Sequence, residues 1–183
     1  MSATPFREDI LLSANDTQAV IQRMAERILA DFAQPEKKVM VGIRRGGAVV
    51  AKLLRARLDE ALGRQTPIGF LDITFYRDDL RTIAPNPVVG ATDLAMSIDG
   101  RQVILVDDVL FTGRTIRAAL NALFDYGRPE RVALAVLVDR GGRQLPIQPD
   151  YAGALFEAGA REMIKLVEKS PGAWTVVRRV PVG

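Results

Sequence analysis

Two adjacent carboxylates, Asp107 and Asp108, stand at the end of the apolar run formed by residues 103–106. A turn containing glycine and hydroxyl groups follows at residues 111–115, and apolar residues at helical spacing begin at Ile116. An ionised aspartate accepts hydrogen bonds from sugar hydroxyls, and the unpaired N–H groups that begin a helix suit a phosphate. Because ligands of open parallel sheets bind beyond the carboxyl ends of the strands, this segment is well placed to hold ribose 5-phosphate.

A second short apolar run, residues 39–41, leads into a turn that reads Gly-Ile-Arg-Arg-Gly-Gly. Its glycines permit close approach of a ligand to the backbone, and Arg44 or Arg45 could pair with phosphate oxygens through two hydrogen bonds. Charged residues also open a later irregular stretch, in which Arg77 precedes two aspartates. The first of these segments therefore joins the acid pair as a candidate for binding a phosphorylated ligand.

Residues 103–120 resemble the motif that binds phosphoribosyl pyrophosphate (PRPP) in the type I phosphoribosyltransferases. The resemblance implies that Asp107 and Asp108 hold the ribose hydroxyls and act in catalysis together with Arg77. It also implies Mg²⁺ as the cofactor, which the two carboxylates would meet indirectly, through ribose oxygens or water. The same resemblance assigns residues to each part of the substrates. The pyrophosphate would contact Arg44, Arg45 and Gly46, and the base would contact Val138, Asp139 and Arg140. The ribose and the 5′-phosphate would contact the continuous stretch Asp107, Asp108, Val109, Leu110, Phe111, Thr112, Gly113, Arg114 and Thr115.

The chain is most similar to those members of the family that act on uracil and, in some bacteria, also regulate pyrimidine genes through leader RNA. This similarity covers most of the chain from residue 39 to residue 150 and implies the products UMP and pyrophosphate. It further implies a homodimer or homotetramer, a small hood at about residues 139–161 and a flexible loop at about residues 77–100. The stretches that carry it are residues 70–80, 103–120, 124–129 and 134–147.

Two other functions remain compatible with these residues. A regulator that senses UMP or UTP and binds RNA would keep the same fold, and a transferase for another nucleobase would keep the same PRPP motif. RNA binding needs clustered cations, whereas the basic residues here occur in separate pairs. The intact acid pair and Arg77 favour the enzyme. The basic pairs are Arg23 and Arg27, Arg55 and Arg57, Arg140 and Arg143, and Arg178 and Arg179.

The composition excludes several kinds of chemistry. The 183 residues include neither Cys nor His, which rules out disulfides, thiolate nucleophiles and histidine bases. A metal would have to be hard and bound by oxygen, as Mg²⁺ is. The net charge of +3 fits a phosphorylated ligand but is too small to argue for nucleic acid. We expect a cytoplasmic protein with no secretory signal and no membrane span.

Strands and helices alternate along the chain, which predicts one α/β domain over residues 1–183 with a mainly parallel central sheet flanked by helices. We expect strands at residues 39–41, 68–76, 103–106, 132–138 and 174–180, and helices that begin near residues 17, 48 and 114. Residues 139–161 carry Gly and Pro and are expected to be irregular. In this arrangement the two candidate phosphate loops lie at the same edge of the sheet.

Overall fold

A computed structural model describes residues 6–31, 34–74 and 92–182 of the chain. In chain order, the elements are β1 (Phe6–Leu12), α1 (Ala14–Ala30), a short 3-10 helix (Pro35–Lys37), β2 (Lys38–Ile43), α2 (Gly46–Leu62), β3 (Ile68–Leu71), β4 (Gln102–Leu110), α3 (Arg114–Asp125), β5 (Arg131–Asp139), β6 (Tyr151–Leu155), β7 (Met163–Ser170) and β8 (Ala173–Pro181).

Five strands form a parallel central sheet in the order β3-β2-β4-β5-β6. This confirms the predicted α/β fold with a parallel sheet flanked by helices. The carboxyl ends of β2, β4 and β5 lie side by side, because parallel strands all end at the same edge. The carboxyl ends of these three strands and the turns and helix starts that follow them carry the candidate site residues other than Arg77.

Both faces of the central sheet are covered, which explains why its strands read as continuous apolar runs. Alternate residues of each strand point to opposite faces, so Ile104 packs with α1 and α2 while Leu105 packs with α3. Helix α3 buries the apolar face that the sequence predicted, including Ile116 and Leu123. The sheet is therefore held rigidly between two hydrophobic cores, and its carboxyl edge is a fixed platform.

Strand β4 is longer than the apolar run predicted. Its pairing with β2 stops at Val106, but its pairing with β5 continues until Leu110 lies opposite Asp139. Asp107 and Asp108 therefore lie inside the strand, and not after it as the sequence analysis expected. The carboxylates interrupt the apolar pattern without interrupting the hydrogen bonds to β5.

A second sheet, antiparallel and three-stranded, joins the two ends of the chain in the order β1-β8-β7. Only β8 was predicted. Strand β1 was missed because charged residues interrupt its apolar pattern, and Glu8 and Asp9 pair with Arg179 and Arg178 directly opposite on β8. This sheet packs against α1, and Val176 of β8 lies in the same core as that helix.

Residues 151–155, which were expected to be irregular within the segment 139–161, form β6 at the edge of the central sheet. The sequence hides this strand because Gly153 breaks its apolar pattern. That glycine is required by close packing: a Cβ there would lie 2.5 Å from Val20 Cγ1 on α1 and 2.6 Å from the Leu137 carbonyl oxygen.

Among the described residues, no helix is long and apolar enough to cross a membrane.

Candidate active site

The acid pair lies where β4 has lost its partner β2 but still pairs with β5. Asp107 is 6% exposed, and its Oδ1 accepts a hydrogen bond of 3.0 Å from the backbone N–H of Asp108. Asp108 is half-buried. The two carboxylates therefore have different surroundings although they are neighbours in the sequence.

Burial raises the pKa of Asp107 well above its usual value, and the negative charge of Asp108 raises it further. Removing a carboxyl group from water penalises its charged form, and a second carboxylate close by adds repulsion. The buried position of Asp107 therefore favours its neutral form. Such perturbed acids are typical of functional sites in a cleft.

The turn after β2 brings helix α2 directly onto the acid pair. A Cβ at Gly46 would lie 2.2 Å from Asp108 Oδ2, and a Cβ at Gly47 would lie 2.4 Å from the Val106 carbonyl oxygen. Only glycine can therefore occupy these positions without moving the acids. The structure thus brings the predicted pyrophosphate loop and the predicted ribose acids together.

The two arginines of this turn are exposed, and the peptide bond between Arg44 and Arg45 is cis. The backbone N–H of Arg44 donates to the carbonyl of Leu71 on β3, at 2.9 Å. Its guanidinium lies 5.7 Å from the centre of the Phe70 ring, which Lys52 also approaches at 5.2 Å. The loop is fixed to the sheet by its backbone, and both guanidinium groups are within reach of solvent.

Helices α2 and α3 begin without a side-chain cap, at Arg45 and Gly113. Helix α1, in contrast, begins with a full capping box in which Ser13 and Asp16 satisfy each other's backbone N–H groups. Uncapped N-termini carry unpaired N–H donors and the positive end of the helix dipole. The two helices at the sheet edge are therefore suited to two anionic groups.

The predicted phosphate loop wraps around the start of α3. Gly113 adopts a left-handed conformation with φ of 89°, which favours glycine, and Thr112 Oγ1 accepts from the backbone N–H of Arg114 at 3.3 Å. The Arg114 side chain is exposed and its Nε donates to Gln144 Oε1 at 3.0 Å, while Thr115 is half-buried in the first turn. The loop thus presents hydroxyl groups and backbone donors around one helix N-terminus.

The three residues before this turn have different environments. Leu110 is 1% exposed in the core and its carbonyl accepts from the Arg140 N–H, and Val109 is half-buried against the other core. Phe111 is 37% exposed although it is apolar, and the guanidinium of Arg140 lies 3.9 Å from the centre of its ring. Of these three side chains, that of Phe111 is the one open to solvent.

The predicted base-binding residues close the site at the end of β5. Val138, Asp139 and Arg140 are all buried. Burial alone would raise the pKa of Asp139, but hydrogen bonds from the Arg143 side chain and the Gly141 N–H lower it below its usual value. Arg140 donates to the carbonyls of Glu162 at 3.0 Å and Gly159 at 3.1 Å, so its side chain anchors the chain after β6.

Segment 143–147, which the sequence analysis placed in the hood but not among the site residues, lies against the phosphate loop. The N–H groups of Gln144 and Leu145 donate to the Thr112 carbonyl at 3.0 and 3.1 Å. A Cβ at Gly113 would lie 3.3 Å from both Leu145 and Ile147. The sequence offered one indication of this segment's role, because Arg143 follows Asp139 by four residues. That spacing does not identify the backbone carbonyls that Arg143 contacts.

Arg77 lies outside the described residues, as does most of the loop predicted at residues 77–100. Among residues 92–100, Asp93 forms a bridge with Phe70 on β3, and each N–H donates to the other's carbonyl at 2.8 Å. The Thr92 hydroxyl accepts from the Asp72 N–H at 3.1 Å. The segment that returns to β4 is therefore held along the edge of the sheet at β3.

The donor atoms of the acid pair fit Mg²⁺, which prefers oxygen ligands and keeps several waters. In the part of the chain that the structure describes, no three acidic side chains converge to form a metal cage. A Mg²⁺ ion at Asp107 and Asp108 would therefore need further ligands from a substrate or from water, as the resemblance implies.

The family model described as "Phosphoribosyl transferase domain" matches residues 9–160. The chain therefore belongs to this family, and its parallel sheet flanked by helices is the fold of a phosphoribosyltransferase. Solved structures agree on the fold. A hypoxanthine-guanine phosphoribosyltransferase from Bacillus anthracis covers 93% of this chain and 99% of its own, with a TM-score of 0.68 at 20% identity.

Comparison with curated relatives identifies a smaller group within this family. "Bifunctional protein PyrR" of Roseiflexus sp. (strain RS-1) is 53% identical over 146 residues, which are 80% of each chain. The protein of the same name from Akkermansia muciniphila is 44% identical over 174 residues, 95% of this chain and 97% of its own. Within the phosphoribosyltransferases, the chain belongs to the PyrR family.

Proposed function

We propose that the protein transfers the phosphoribosyl group of PRPP to uracil and releases UMP and pyrophosphate. One observation carries the proposal: the first turn of α2 contacts the Asp107–Asp108 pair, and the loop after this pair leads into the uncapped N-terminus of α3. Two anion sites with a diol acceptor at the same edge match the two phosphorylated ends of PRPP and the ribose that joins them.

In this mechanism the ribose hydroxyls donate to the Asp107–Asp108 pair, and the 5′-phosphate binds at the N-terminus of α3. The bond between C1 of the ribose and the pyrophosphate oxygen breaks, and the leaving oxygen keeps the electron pair. Uracil N1 then forms the new bond to C1 and loses its proton. No protein nucleophile is required, because C1 becomes electron-poor as the leaving group departs.

The chain's own groups would stabilise charge on the pyrophosphate side. Arg44 and Arg45 lie on the turn that precedes α2, where the helix dipole adds to their positive charge. By the family resemblance, Arg77 would contribute to the same stabilisation. When bound, Mg²⁺ would be held near Asp107 and Asp108 and would supply positive charge that stabilises the departing pyrophosphate. Fixed positive groups of this kind are worth more where water is excluded.

The choice of uracil rests on membership of the PyrR family and on the end of β5. Uracil presents alternating carbonyl and N–H groups along one edge, which backbone groups around Val138, Asp139 and Arg140 could match. The lowered pKa of Asp139 keeps its carboxylate ionised at this position, where it is an additional acceptor for an N–H group. A base without this edge pattern would leave buried polar groups unpaired.

The test is the formation of UMP from PRPP and uracil in the presence of Mg²⁺, run beside hypoxanthine, guanine and orotate. We expect turnover with uracil and not with the other bases. Turnover with another base alone would support the phosphoribosyltransferase activity and contradict uracil as the substrate. Binding of PRPP or UMP without turnover would reject the enzyme in favour of a nucleotide sensor.

A second function, regulation of pyrimidine genes through leader RNA, is supported by the word "bifunctional" in the names of the relatives. The cation pairs considered for RNA contacts are, however, largely occupied within the chain. Arg27 donates to the carbonyls of Ala152 and Asp150, and Arg178 pairs with Asp9. We therefore rank this function second. Salt-dependent binding to a pyrimidine leader RNA would establish it, and binding that is equal for unrelated RNA would reject it.

A further inference from the structure

The side chain of Arg143 joins several parts of the site although it contacts neither proposed substrate position directly. Its Nη2 donates to Asp139 Oδ2 at 2.5 Å, and its Nη1 donates to the Phe111 carbonyl at 2.9 Å and the Gly141 carbonyl at 3.3 Å. Its Nε donates to the carbonyl of Ile147 at 2.9 Å. All three nitrogens are therefore used, and the side chain is only 15% exposed.

These contacts connect the two ends of the proposed site. Asp139 lies at the end of β5, on the side proposed for the base, and the Phe111 carbonyl belongs to the loop proposed for the 5′-phosphate. The same loop is also held by Gln144 and Leu145, whose N–H groups donate to the carbonyl of Thr112. A single guanidinium therefore links the phosphate loop to the carboxylate on the base side.

We propose that Arg143 is a positioning residue that fixes the phosphate loop and Asp139 in one geometry, so that binding at the phosphate end and at the base end is coupled. The proposal rests on the proposed function and deepens it. The planar guanidinium is required because it offers five donors in a fixed arrangement, whereas a lysine has one nitrogen on a flexible stem. Lysine could keep the ion pair with Asp139 but could not also reach the carbonyls of Phe111 and Ile147.

The first test compares Arg143→Lys and Arg143→Gln with a matched control, Arg55→Gln. Arg55 also pairs with an aspartate four residues away, Asp59 at 3.1 Å, but it lies well along α2, about 13 Å along the helix axis from Gly46. We expect both Arg143 variants to raise KM for PRPP about tenfold, equivalent to about 1.4 kcal/mol. We expect KM for uracil to rise as well, and the control to leave both constants unchanged.

The second test measures coupling with ribose 5-phosphate as the probe, by titration calorimetry without any base. Asp139→Asn should weaken ribose 5-phosphate binding several-fold in the wild-type background, because it releases Arg143. In the Arg143→Gln background the same substitution should have no further effect. This arm does not depend on turnover, so it separates a failure of the coupling from a failure of the uracil transferase assignment.

Two results would overturn the proposal. One is an Arg143→Gln protein that melts at a lower temperature yet keeps wild-type KM values and ribose 5-phosphate affinity. This result would show that Arg143 contributes only to the stability of the fold. The other is an equal effect of Asp139→Asn in both backgrounds, which would show that the two ends are independent. Restoration of binding by Arg143→Lys would contradict the requirement for a guanidinium.

Discussion

Asp107 and Asp108 carry the same functional group, but the fold gives them different surroundings. Asp107 is buried within β4 and accepts from the Asp108 N–H, whereas Asp108 is half-buried against the first turn of α2. We therefore expect Asp108 to be the more accessible acceptor for a ribose hydroxyl, and Asp107 to hold its neighbour's backbone in place.

The raised pKa of Asp107 makes the stability of the protein depend on pH. A carboxyl group with a raised pKa binds more protons in the folded state than in the unfolded state, so folding is less stable as the pH rises from its usual value of 3.8 through the raised value. Asp107→Asn does not titrate. Its free energy of unfolding should therefore exceed that of the wild type by an amount that grows across this interval.

Urea unfolding of both proteins between pH 4 and pH 8 measures this difference. Other acids titrate in both proteins, so their contributions largely cancel in the comparison. A difference that stays constant with pH would contradict the burial of an ionisable group at Asp107.

Gly46 allows a second prediction at the level of one residue. A methyl group there would lie 2.2 Å from Asp108 Oδ2 and would force the carboxylate to move. Alanine is otherwise favoured in a helix, by about 0.5–1 kcal/mol relative to glycine. Gly46→Ala should therefore raise KM for PRPP at least tenfold, about 1.4 kcal/mol, without a comparable loss of stability.

The matched control is Gly159→Ala, where the nearest atoms to a new Cβ lie 3.5 Å away or more, within ordinary contact distance. Steady-state kinetics and thermal melting of both variants give the comparison. Unchanged PRPP kinetics in Gly46→Ala would show that the position of the Asp108 carboxylate is not important for binding.

Residue types that carry chemistry could be found in the sequence, whereas residues that act through backbone contacts could not. The acid pair, the glycine turn and the cationic loop were predicted because carboxylates, hydroxyls and guanidinium groups have few other reasons to cluster at strand ends. Arg143 was missed as a site residue because its partners include the carbonyls of Phe111 and Ile147, which every residue type possesses. Only the fold brings those carbonyls together.

At the level of elements, strands buried on both faces were easier to predict than strands with one exposed face. Strands β2, β4 and β5 are continuous apolar runs and were predicted, although β4 was predicted too short. Strands β1 and β7 were not, because exposed charged residues such as Glu8 and Lys169 interrupt their apolar pattern and pair with each other across the sheet. Cross-strand charge pairs cannot be recognised before the partner strand is known.

Strand β6 is tied to α1 by a buried phenol, which gives a prediction at this scale. The Tyr151 hydroxyl donates to Asp31 Oδ2 at 2.8 Å, just after the end of α1, and burial with this hydrogen bond raises its pKa to about 12. Tyr151→Phe should lower the free energy of unfolding by about 1 kcal/mol at neutral pH, the typical net value of one hydrogen bond. Urea unfolding at pH 7 measures this change.

The same tyrosine can be followed by ultraviolet absorbance during alkaline titration. Its folded-state pKa is raised, so its stabilising effect is present at neutral pH and is lost as the pH rises toward about 12. The last tyrosine transition should be missing from the spectrum of Tyr151→Phe. If Tyr151→Phe still showed that late transition, or if its stability were unchanged at pH 7, the hydrogen bond to Asp31 would not hold β6 to α1.

At the scale of the whole molecule, the location of the positive charges says more about the ligand than the net charge does. The net charge is only +3, and several arginines are neutralised by partners, such as Arg178 by Asp9 and Arg143 by Asp139. Arg44 and Arg45 are exposed instead at the sheet edge, next to the uncapped N-terminus of α2. This distribution favours a small anionic ligand at one edge over a long polyanion across a face.

Binding of PRPP should therefore stabilise the whole fold, because the ligand would link the ends of β2, β4 and β5 that only the native state brings together. At a free ligand concentration one hundred times Kd, such linkage contributes about 2.7 kcal/mol. For a chain of this size, this corresponds to a rise in Tm of roughly 5–10 °C. Thermal melting of the wild type should show the full shift in Tm with PRPP and Mg²⁺, and a smaller shift with ribose 5-phosphate. The Gly46→Ala variant with PRPP should show the smallest shift. A shift with UMP but none with PRPP would contradict the transferase and favour a protein that senses nucleotides, since the pyrophosphate half of the site would then be without a ligand.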